Sequence, residues 1–182
     1  MIIGITGKSG SGKSTYANQL SEENGFCVVH IDNISHRIMN LPAIKAKLID
    51  IFGDKVIKDG AIDRKYLGDL IFENRHLYKE MSDLIWDIME YYIDYIIATH
   101  DDVILDWILL PHTHYWKMCD TKILMVADEE DRKKRVMARD NISAEYLSKR
   151  DSAGISYDNI EFDQIINTTR KETSYGIPYE RL

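Results

Sequence analysis

A short β-branched run, Ile2-Ile3-Gly4-Ile5-Thr6, leads without a break into Gly7-Lys8-Ser9-Gly10-Ser11-Gly12-Lys13-Ser14-Thr15. The pattern G-x-x-x-x-G-K-[S/T] occupies Gly7 to Ser14, and it has a physical reading. Glycines let the backbone turn tightly between a strand and a helix, so that successive N–H groups and the helix N-terminus face phosphate oxygens. The lysine then adds a mobile positive charge for the β- and γ-phosphates, and the hydroxyl of the next residue is placed to ligate magnesium. The four fixed positions match by chance in roughly one chain of this length in a few hundred. A glycine-rich turn without a ligand is therefore the weaker reading, and Gly7, Lys8, Ser9, Gly10, Ser11, Gly12, Lys13, Ser14 and Thr15 are the candidate ATP-binding loop.

The remaining strand signals are β-branched runs at Phe26 to His30, Val103 to Asp106, Lys122 to Val126 and, more weakly, Gln164 to Asn167. Helical patterns separate them. Residues 13 to 23 follow the first strand, and 129 to 139 follow the fourth, opening with Asp128 as N-cap and Glu129, Glu130 and Asp131 in the first turn. The longest helix is predicted from about His76 to Ala98, with Leu77, Met81, Leu84, Ile85, Ile88, Tyr92, Tyr95 and Ile96 on one apolar face. Tyr91, Tyr92 and Tyr95 read as packing residues of that helix rather than a base-stacking platform. Strand and helix in alternation predict an α/β fold, a parallel sheet covered by helices on both faces.

With 182 residues, of which 45% are hydrophobic and 29% charged, the chain is expected to form one domain, 1–182. Two polar regions, about 140–161 and the tail from Thr168, are the candidates for mobility, and the first is a lid candidate. The 23 basic against 30 acidic side chains give a charge of −7. That field does not attract phosphate backbones, so no nucleic-acid partner is expected and any polyanion site must be made locally. No apolar run approaches the ~20 residues of a membrane span, and the first residues lack the pattern of a secretion signal. A cytoplasmic protein is expected. Cys27 and Cys119 are far apart and outside any CxxC, which suggests neither a disulfide nor a cysteine zinc site. His112 and His114 near Cys119 lack a fourth ligand for zinc.

A guanine-reading NKxD is absent, and the larger ATPase machines need more chain, so a small-molecule kinase remains. Such an enzyme needs an acid on the acceptor side, arginines for the phosphoryl charge and a lid that excludes water. Asp32, just after the second strand, is the candidate to orient or deprotonate an acceptor hydroxyl, with helix capping as the alternative. Asp106 ends the run Val103-Ile104-Leu105-Asp106, which resembles a Walker B strand whose acid holds magnesium, usually through water. Its alternative is a structural strand-end bond. Arg135 and Arg139 share a helix face and are candidate phosphate ligands, against the alternative of surface pairing with Glu129, Glu130 or Asp131. Arg64 opens a helix after a turn and is a candidate acceptor contact. Lys149 and Arg150 could swing over a phosphate from the lid, or form a solvated charge cluster.

These motifs resemble, in order and over nearly the whole chain, those of the dephospho-coenzyme A kinases of the P-loop nucleotide-kinase superfamily. The opening GITGKSGSGKST resembles that family's start, and Asp32 falls at its catalytic aspartate. Gly60-Ala61-Ile62-Asp63-Arg64-Lys65-Tyr66-Leu67 with Ile71-Phe72 is similar to its G-x-L-x-R-x-x-L and trailing I/V-F. Val103 to Asp106 with Leu109-Leu110 resembles its third strand, Arg135 to Asp140 with Ser143 its approach to the lid, and Asp163 to Asn167 its last strand. The resemblance implies a three-layer fold with a five-stranded parallel sheet in the order 2-3-1-4-5, a small lid at about 140–161 and an acceptor-side helical region at about 33–100. It further implies transfer of the ATP γ-phosphate to the ribose 3′-hydroxyl of dephospho-coenzyme A in coenzyme A biosynthesis. Asp32 would serve that hydroxyl, Lys13 and Ser14 would serve ATP and Mg2+, Arg139 would close on the phosphates, and Arg64 and Asp106 would lie on the acceptor side.

The chain departs from the family pattern at Ile108, His112, His36, Gly154 and Asn167-Thr168-Thr169, and only about fifteen residues follow the expected last strand. Most of these departures lie on the acceptor side. A kinase for another acceptor, a nucleoside or nucleoside monophosphate, is therefore the alternative expectation. A nucleotide-binding regulator without turnover is a second, opposed by the presence of Lys13, Ser14 and Asp32.

Overall fold

The computed structural model describes residues 1–72, 74–152, 155–170 and 172–176, without the side chains of Phe72, Arg75, Ser152, Glu172 and Tyr175. Gly154 lies outside the described residues. The elements run in the order β1 (Ile2–Thr6), α1 (Lys13–Asn24), β2 (Cys27–His30), α2 (Ile31–Met39), α3 (Pro42–Phe52), β3 (Ile57–Lys58), β4 (Ala61–Ile62), α4 (Arg64–Phe72), α5 (Arg75–Thr99), β5 (Val103–Asp106), α6 (Tyr115–Met118), β6 (Thr121–Val126), α7 (Glu129–Asp140), α8 (Ala144–Ser152), β7 (Gln164–Asn167) and β8 (Glu172–Tyr175). They form two compact units, Met1–His30 with Ile97–Leu182, and Ile31–Ile96.

The first unit is built on one sheet in the order β2-β5-β1-β6-β7-β8. The first five are parallel, and β8 pairs antiparallel with β7. The sheet thus has six strands where five were expected, and its chain-order numbering shifts because the hairpin strands β3 and β4 belong to the second unit. With that hairpin set aside, the parallel strands keep the expected 2-3-1-4-5 succession. The extra strand comes from the polar segment expected to be a tail. An edge strand with one free side needs no apolar alternation, which is why the pattern does not disclose it.

Every residue of β5 is buried, as a central parallel strand requires. Ile3, Ile5, Ile104, Ile123 and Met125 from three neighbouring strands pack with Ala17 of α1 into one apolar cluster, flanked by Tyr16, Leu20, Phe26, Val28 and Ile166. Each such aliphatic side chain contributes about 1.5–3 kcal/mol by leaving water. The register sets the function of this core. It aligns Ile5 with Asp106, and Asp106 with His30, so the ends of β1, β5 and β2 open at one edge of the sheet.

In the second unit, Asp63 Oδ1 accepts from the N–H groups of Lys65 and Tyr66 at 3.0 and 3.1 Å and so caps α4. Lys45 Nζ donates to the Gly60 carbonyl at 2.9 Å, and Asn40 Oδ1 accepts from Ile62 N–H at 3.0 Å, which ties the hairpin to its flanking helices.

Three local expectations are corrected. The α5 face that is buried runs through Ile85, Met89 and Ile93, whereas Tyr91, Tyr92 and Tyr95 are 73%, 48% and 59% exposed. The i, i+4 spacing of Ile85, Met89 and Ile93 competes with the tyrosine-bearing stripe, and the aliphatic stripe wins the interior. Asp128 occupies the N-cap position of α7 without a side-chain cap bond; its carboxylate lies 3.4 Å from Arg170 Nε. Helix α2 begins directly at Ile31, so Asp32 stands inside its first turn rather than before it. No helix among the described residues is long and apolar enough to cross a membrane.

Candidate active site

The loop between β1 and α1 is fitted against two other elements so closely that side chains are excluded at its glycines. Gly7 has φ 142°, and a Cβ there would sit 2.2 Å from the Met125 carbonyl oxygen at the end of β6. Gly10 has φ 82°, and a Cβ there would sit 2.6 Å from Val136 Cγ2 and 2.7 Å from the Arg132 carbonyl oxygen of α7. Both positions demand glycine for conformation and for space. The loop closes on itself through Ser11 N–H to the Lys8 carbonyl at 3.1 Å, and Lys13 Nζ folds back to the same carbonyl at 3.3 Å.

Ser14, in the first turn of α1, donates from Oγ to Asp106 Oδ2 at 2.6 Å. The hydroxyl that ends the glycine-rich motif and the carboxylate that ends β5 thus meet. Asp106 is 4% exposed. Its Oδ2 also accepts from His30 Nδ1 at 2.8 Å, and His30 Nε2 lies 3.0 Å from Asn18 Oδ1 on α1. A buried carboxylate requires such donors, since burial without them is unfavourable by several kcal/mol.

Of the three arginines on α7, the one with no role expected from its sequence position is the most deeply engaged. Arg132 is 2% exposed. Its Nη1 donates to the Ser9 carbonyl in the loop at 3.0 Å, Nε and Nη2 fork onto Glu129 at 2.9 and 2.6 Å, and Nη2 also reaches Asp151 of α8. The bond from Arg132 holds the Glu129 carboxyl below its usual range, and Glu129 in turn raises the arginine. Arg135 Nη1 donates to Thr168 Oγ1 at 3.0 Å and to the Gly10 carbonyl at 3.4 Å. Thr168 Oγ1 lies 3.1 Å from the Ser11 carbonyl, to which it can donate. Arg139 takes a different partner. Its Nε and Nη2 bind the two oxygens of Asp140 at 2.6 and 3.0 Å, while Arg150 Nη1 adds a bond to Asp140 Oδ2 at 3.1 Å. Arg139, then Arg150, hold the Asp140 carboxyl below its ordinary value against the opposing effect of burial. Arg135 and Arg139, expected to act as a pair, thus have separate partners. The face of α7 carrying Arg132 and Arg135 rests on the loop.

Two of the altered family positions tie the loop after β5 to the segment after α8. The Ile108 carbonyl accepts from Thr6 Oγ1 and from Tyr157 Oη, both at 3.1 Å, and His112 Nε2 lies 3.1 Å from the Ser156 carbonyl. Tyr157 is 2% exposed. A cleft of about 60 Å³ beside it is lined by Lys8, Ser11, Glu129 and Arg132, and the buried Ser11 Oγ has no hydrogen-bond partner among the described residues. Helix α8 begins where Ser143 predicts it, with Tyr146 N–H donating to Ser143 Oγ at 3.2 Å.

In the second unit, Asp32 is exposed on α2, two residues beyond His30 along the chain. Arg64 Nη1 lies 2.7 Å from His36 Nδ1 and 3.0 Å from Nε2. Burial, and then the Arg64 charge, push His36 down to about 4, so the ring is neutral and accepts. His114 stacks on Tyr115 with centroids 4.0 Å apart. Cys119 Sγ bonds the Tyr115 carbonyl, and burial pushes the thiol up to about 12. No group of three or more His, Cys, Asp or Glu among the described residues could hold a metal.

Comparison with known proteins agrees with this geometry. The dephospho-CoA kinase family model matches residues 1–162. The chain belongs to the dephospho-CoA kinase family. It is 34% identical over 152 residues to a dephospho-CoA kinase of Fusobacterium nucleatum, covering 82% of this chain and 78% of that one. A dephospho-CoA kinase of Shouchella clausii is 28% identical over 193 residues, covering 100% and 97%. Among solved structures, one from Thermus thermophilus is similar at a TM-score of 0.72 and 29% identity, covering 85% of this chain and 80% of that one. The dephospho-CoA kinase from Campylobacter jejuni superposes at a TM-score of 0.56 and 22% identity over 92% and 88%, a likeness of fold. As a member of this family the chain is a kinase with ATP as co-substrate.

Proposed function

We propose that this dephospho-CoA kinase family member transfers the ATP γ-phosphate to the ribose 3′-hydroxyl of dephospho-CoA, with Mg2+ bound beside the nucleotide. The observation that carries the reading is the 2.6 Å bond between Ser14 Oγ and Asp106 Oδ2. A P-loop hydroxyl and a strand-end carboxylate that meet in this way supply hard oxygen donors, the kind Mg2+ takes together with phosphate oxygens and water. Two protein oxygens fit that demand, because Mg2+ rarely uses an all-protein cage. When bound, the ion neutralises charge on the β- and γ-phosphates.

The chain's own groups do the rest. Backbone N–H groups from Lys8 to Ser14 and the N-terminus of α1 bind the phosphates, and the orphaned Ser11 hydroxyl offers one more donor in a loop that lacks a partner for it. Lys13 leaves the weak 3.3 Å bond to the Lys8 carbonyl for a phosphate oxygen. Asp32 orients the acceptor hydroxyl and accepts its proton as the bond to phosphorus forms. Arg64, held by neutral His36, faces the acceptor's anionic groups. Residues 140–161 act as the lid. Arg139 exchanges Asp140 for the phosphates on closure, and Arg135 holds the loop from α7.

Ile108 and His112, the departures that favour another acceptor, are engaged with Tyr157 and Ser156. His112 takes part in that anchor through its side chain and Ile108 through its backbone carbonyl alone, and the family match over residues 1–162 supports dephospho-CoA as the acceptor. ADP release from ATP and Mg2+ with a panel of acceptors tests it. Dephospho-CoA should stimulate release well above the no-acceptor rate, and stimulation by a nucleoside or a nucleoside monophosphate alone would overturn the assignment.

A further inference from the structure

His30 is not among the groups assigned to the phosphoryl transfer, yet it closes a ring of contacts around the carboxylate proposed to bind magnesium. The parallel register of β2 and β5 sets His30 directly opposite Asp106. Its Nδ1 lies 2.8 Å from Asp106 Oδ2, the same oxygen that accepts from Ser14, and its Nε2 lies 3.0 Å from the Asn18 side chain. Asn18 stands four residues after Ser14, on the same face of α1. The ring Ser14–Asp106–His30–Asn18 therefore links two strands to the helix that follows the ATP loop.

A carboxylate accepts only, so Nδ1–H donates to it. Nε2 faces the Asn18 side-chain amide, which fixes the plane of the ring. Asp106 is 4% exposed and His30 is 24% exposed at its side chain. Ser14 is the other donor to Oδ2, and its oxygen keeps its lone pairs for a cation while its O–H donates to Asp106. His30 donates to the same oxygen and holds the carboxylate from the side of β2.

We infer that His30 is a positioning residue, which uses Asn18 to fix its ring and holds Asp106 in the orientation that binds magnesium with ATP. The inference rests on the magnesium reading of Ser14 and Asp106. It predicts an effect confined to the metal-dependent part of nucleotide affinity, because His30 bonds the acid and not the phosphate loop.

The test is calorimetric titration of ATP into the full chain, in EDTA and in excess Mg2+, for wild type, His30→Phe, His30→Asn and His30→Gln. Wild type should bind ATP more tightly with Mg2+. His30→Phe should leave affinity in EDTA within about twofold and reduce the Mg2+-dependent tightening at least fivefold. His30→Asn, whose amide NH2 falls near the position of Nδ1, should restore most of it. His30→Gln, whose amide reaches nearer Nε2, should restore less. In steady state, the Mg2+ concentration for half-maximal turnover should rise in His30→Phe while KM for dephospho-CoA stays unchanged. Full Mg2+-dependent tightening in His30→Phe, equal losses with and without Mg2+, or no advantage of Asn over Gln would overturn the inference. Should the Phe variant fail to fold, the Asn and Gln proteins alone decide it. A wild type that gains nothing from Mg2+ would overturn the magnesium reading itself, a result distinguishable from all of these.

Discussion

Ser14 Oγ and Asp106 Oδ2 lie 2.6 Å apart although 92 residues separate them in the chain. Neither residue is unusual alone. Ser14 is the last fixed position of a loop motif, and Asp106 the last residue of a fully buried strand. Their meeting follows from the parallel pairing of β1 with β5, which sets Ile5 opposite Asp106 and so brings the strand end beneath the start of α1.

Gly7 is where the loop tolerates least. With a φ of 142° and a backbone oxygen 2.2 Å from where a methyl carbon would sit, Gly7→Ala should lower stability by about 1–3 kcal/mol from strain alone. ATP affinity should fall with it. Thermal melting with and without ATP checks both, and an unchanged melting temperature would contradict the close fit to β6.

Lys13→Ala should reduce turnover by about two to three orders of magnitude, the effect of removing one group that stabilises transition-state charge. The melting temperature without nucleotide, measured alongside, shows whether the variant keeps its fold. Steady-state kinetics beside that melting curve separates lost catalysis from lost fold.

Asp32→Asn should lower kcat by about 10²- to 10⁴-fold, the range for loss of a general base. ATP affinity measured by titration should stay within about twofold. Equal losses in both quantities would remove Asp32 from the acceptor side and return it to a structural role in α2.

Arg132→Met retains the length of the buried stem and removes the guanidinium that joins Ser9, Glu129 and Asp151. Loss of charge-assisted bonds should destabilise the protein by about 1.5–3 kcal/mol. Urea unfolding measures it. A change below about 0.5 kcal/mol would show that Arg132 does not brace the loop.

His36 gives a pH dependence with a definite sign. Its folded value of about 4 lies below the ordinary 6.5 because of burial and Arg64, so the unfolded chain takes up the proton first as pH falls. The His36 contribution is complete above pH 6.5 and is lost progressively towards pH 4. His36→Gln keeps an acceptor for Arg64 and removes the titration. Urea midpoints from about pH 7 to about pH 4.5 should therefore fall less steeply in the variant than in wild type, and identical slopes would contradict the assignment.

The parts of this architecture that are legible in the sequence are those with local signals. β1 and the loop declare themselves in one stretch from Ile2 to Thr15, and the parallel strands declare themselves as β-branched runs. β8 carries no such signal, because Glu172 to Tyr175 becomes a strand only by pairing with β7. Helical spacing shows that Arg132, Arg135 and Arg139 point in related directions, but docking of α7 on Gly10 decides which of them meets the loop. Spacing alone therefore offers Arg135 and Arg139 together and is silent on Arg132. The tyrosines of α5 mislead because an aliphatic stripe on the same helix outcompetes them for the interior. His30 leaves no signal at all, since its role comes from the cross-strand register with Asp106.

Dephospho-CoA as acceptor is tested most directly by the identity of the phosphorylated product. The chain is incubated with ATP, Mg2+ and dephospho-CoA, and the product is read by phosphorus NMR. One new phosphomonoester on the ribose 3′-oxygen, formed in step with ADP, is the predicted result. ADP formed without that phosphomonoester, or a phosphate carried by a nucleoside acceptor in preference to dephospho-CoA, would contradict it.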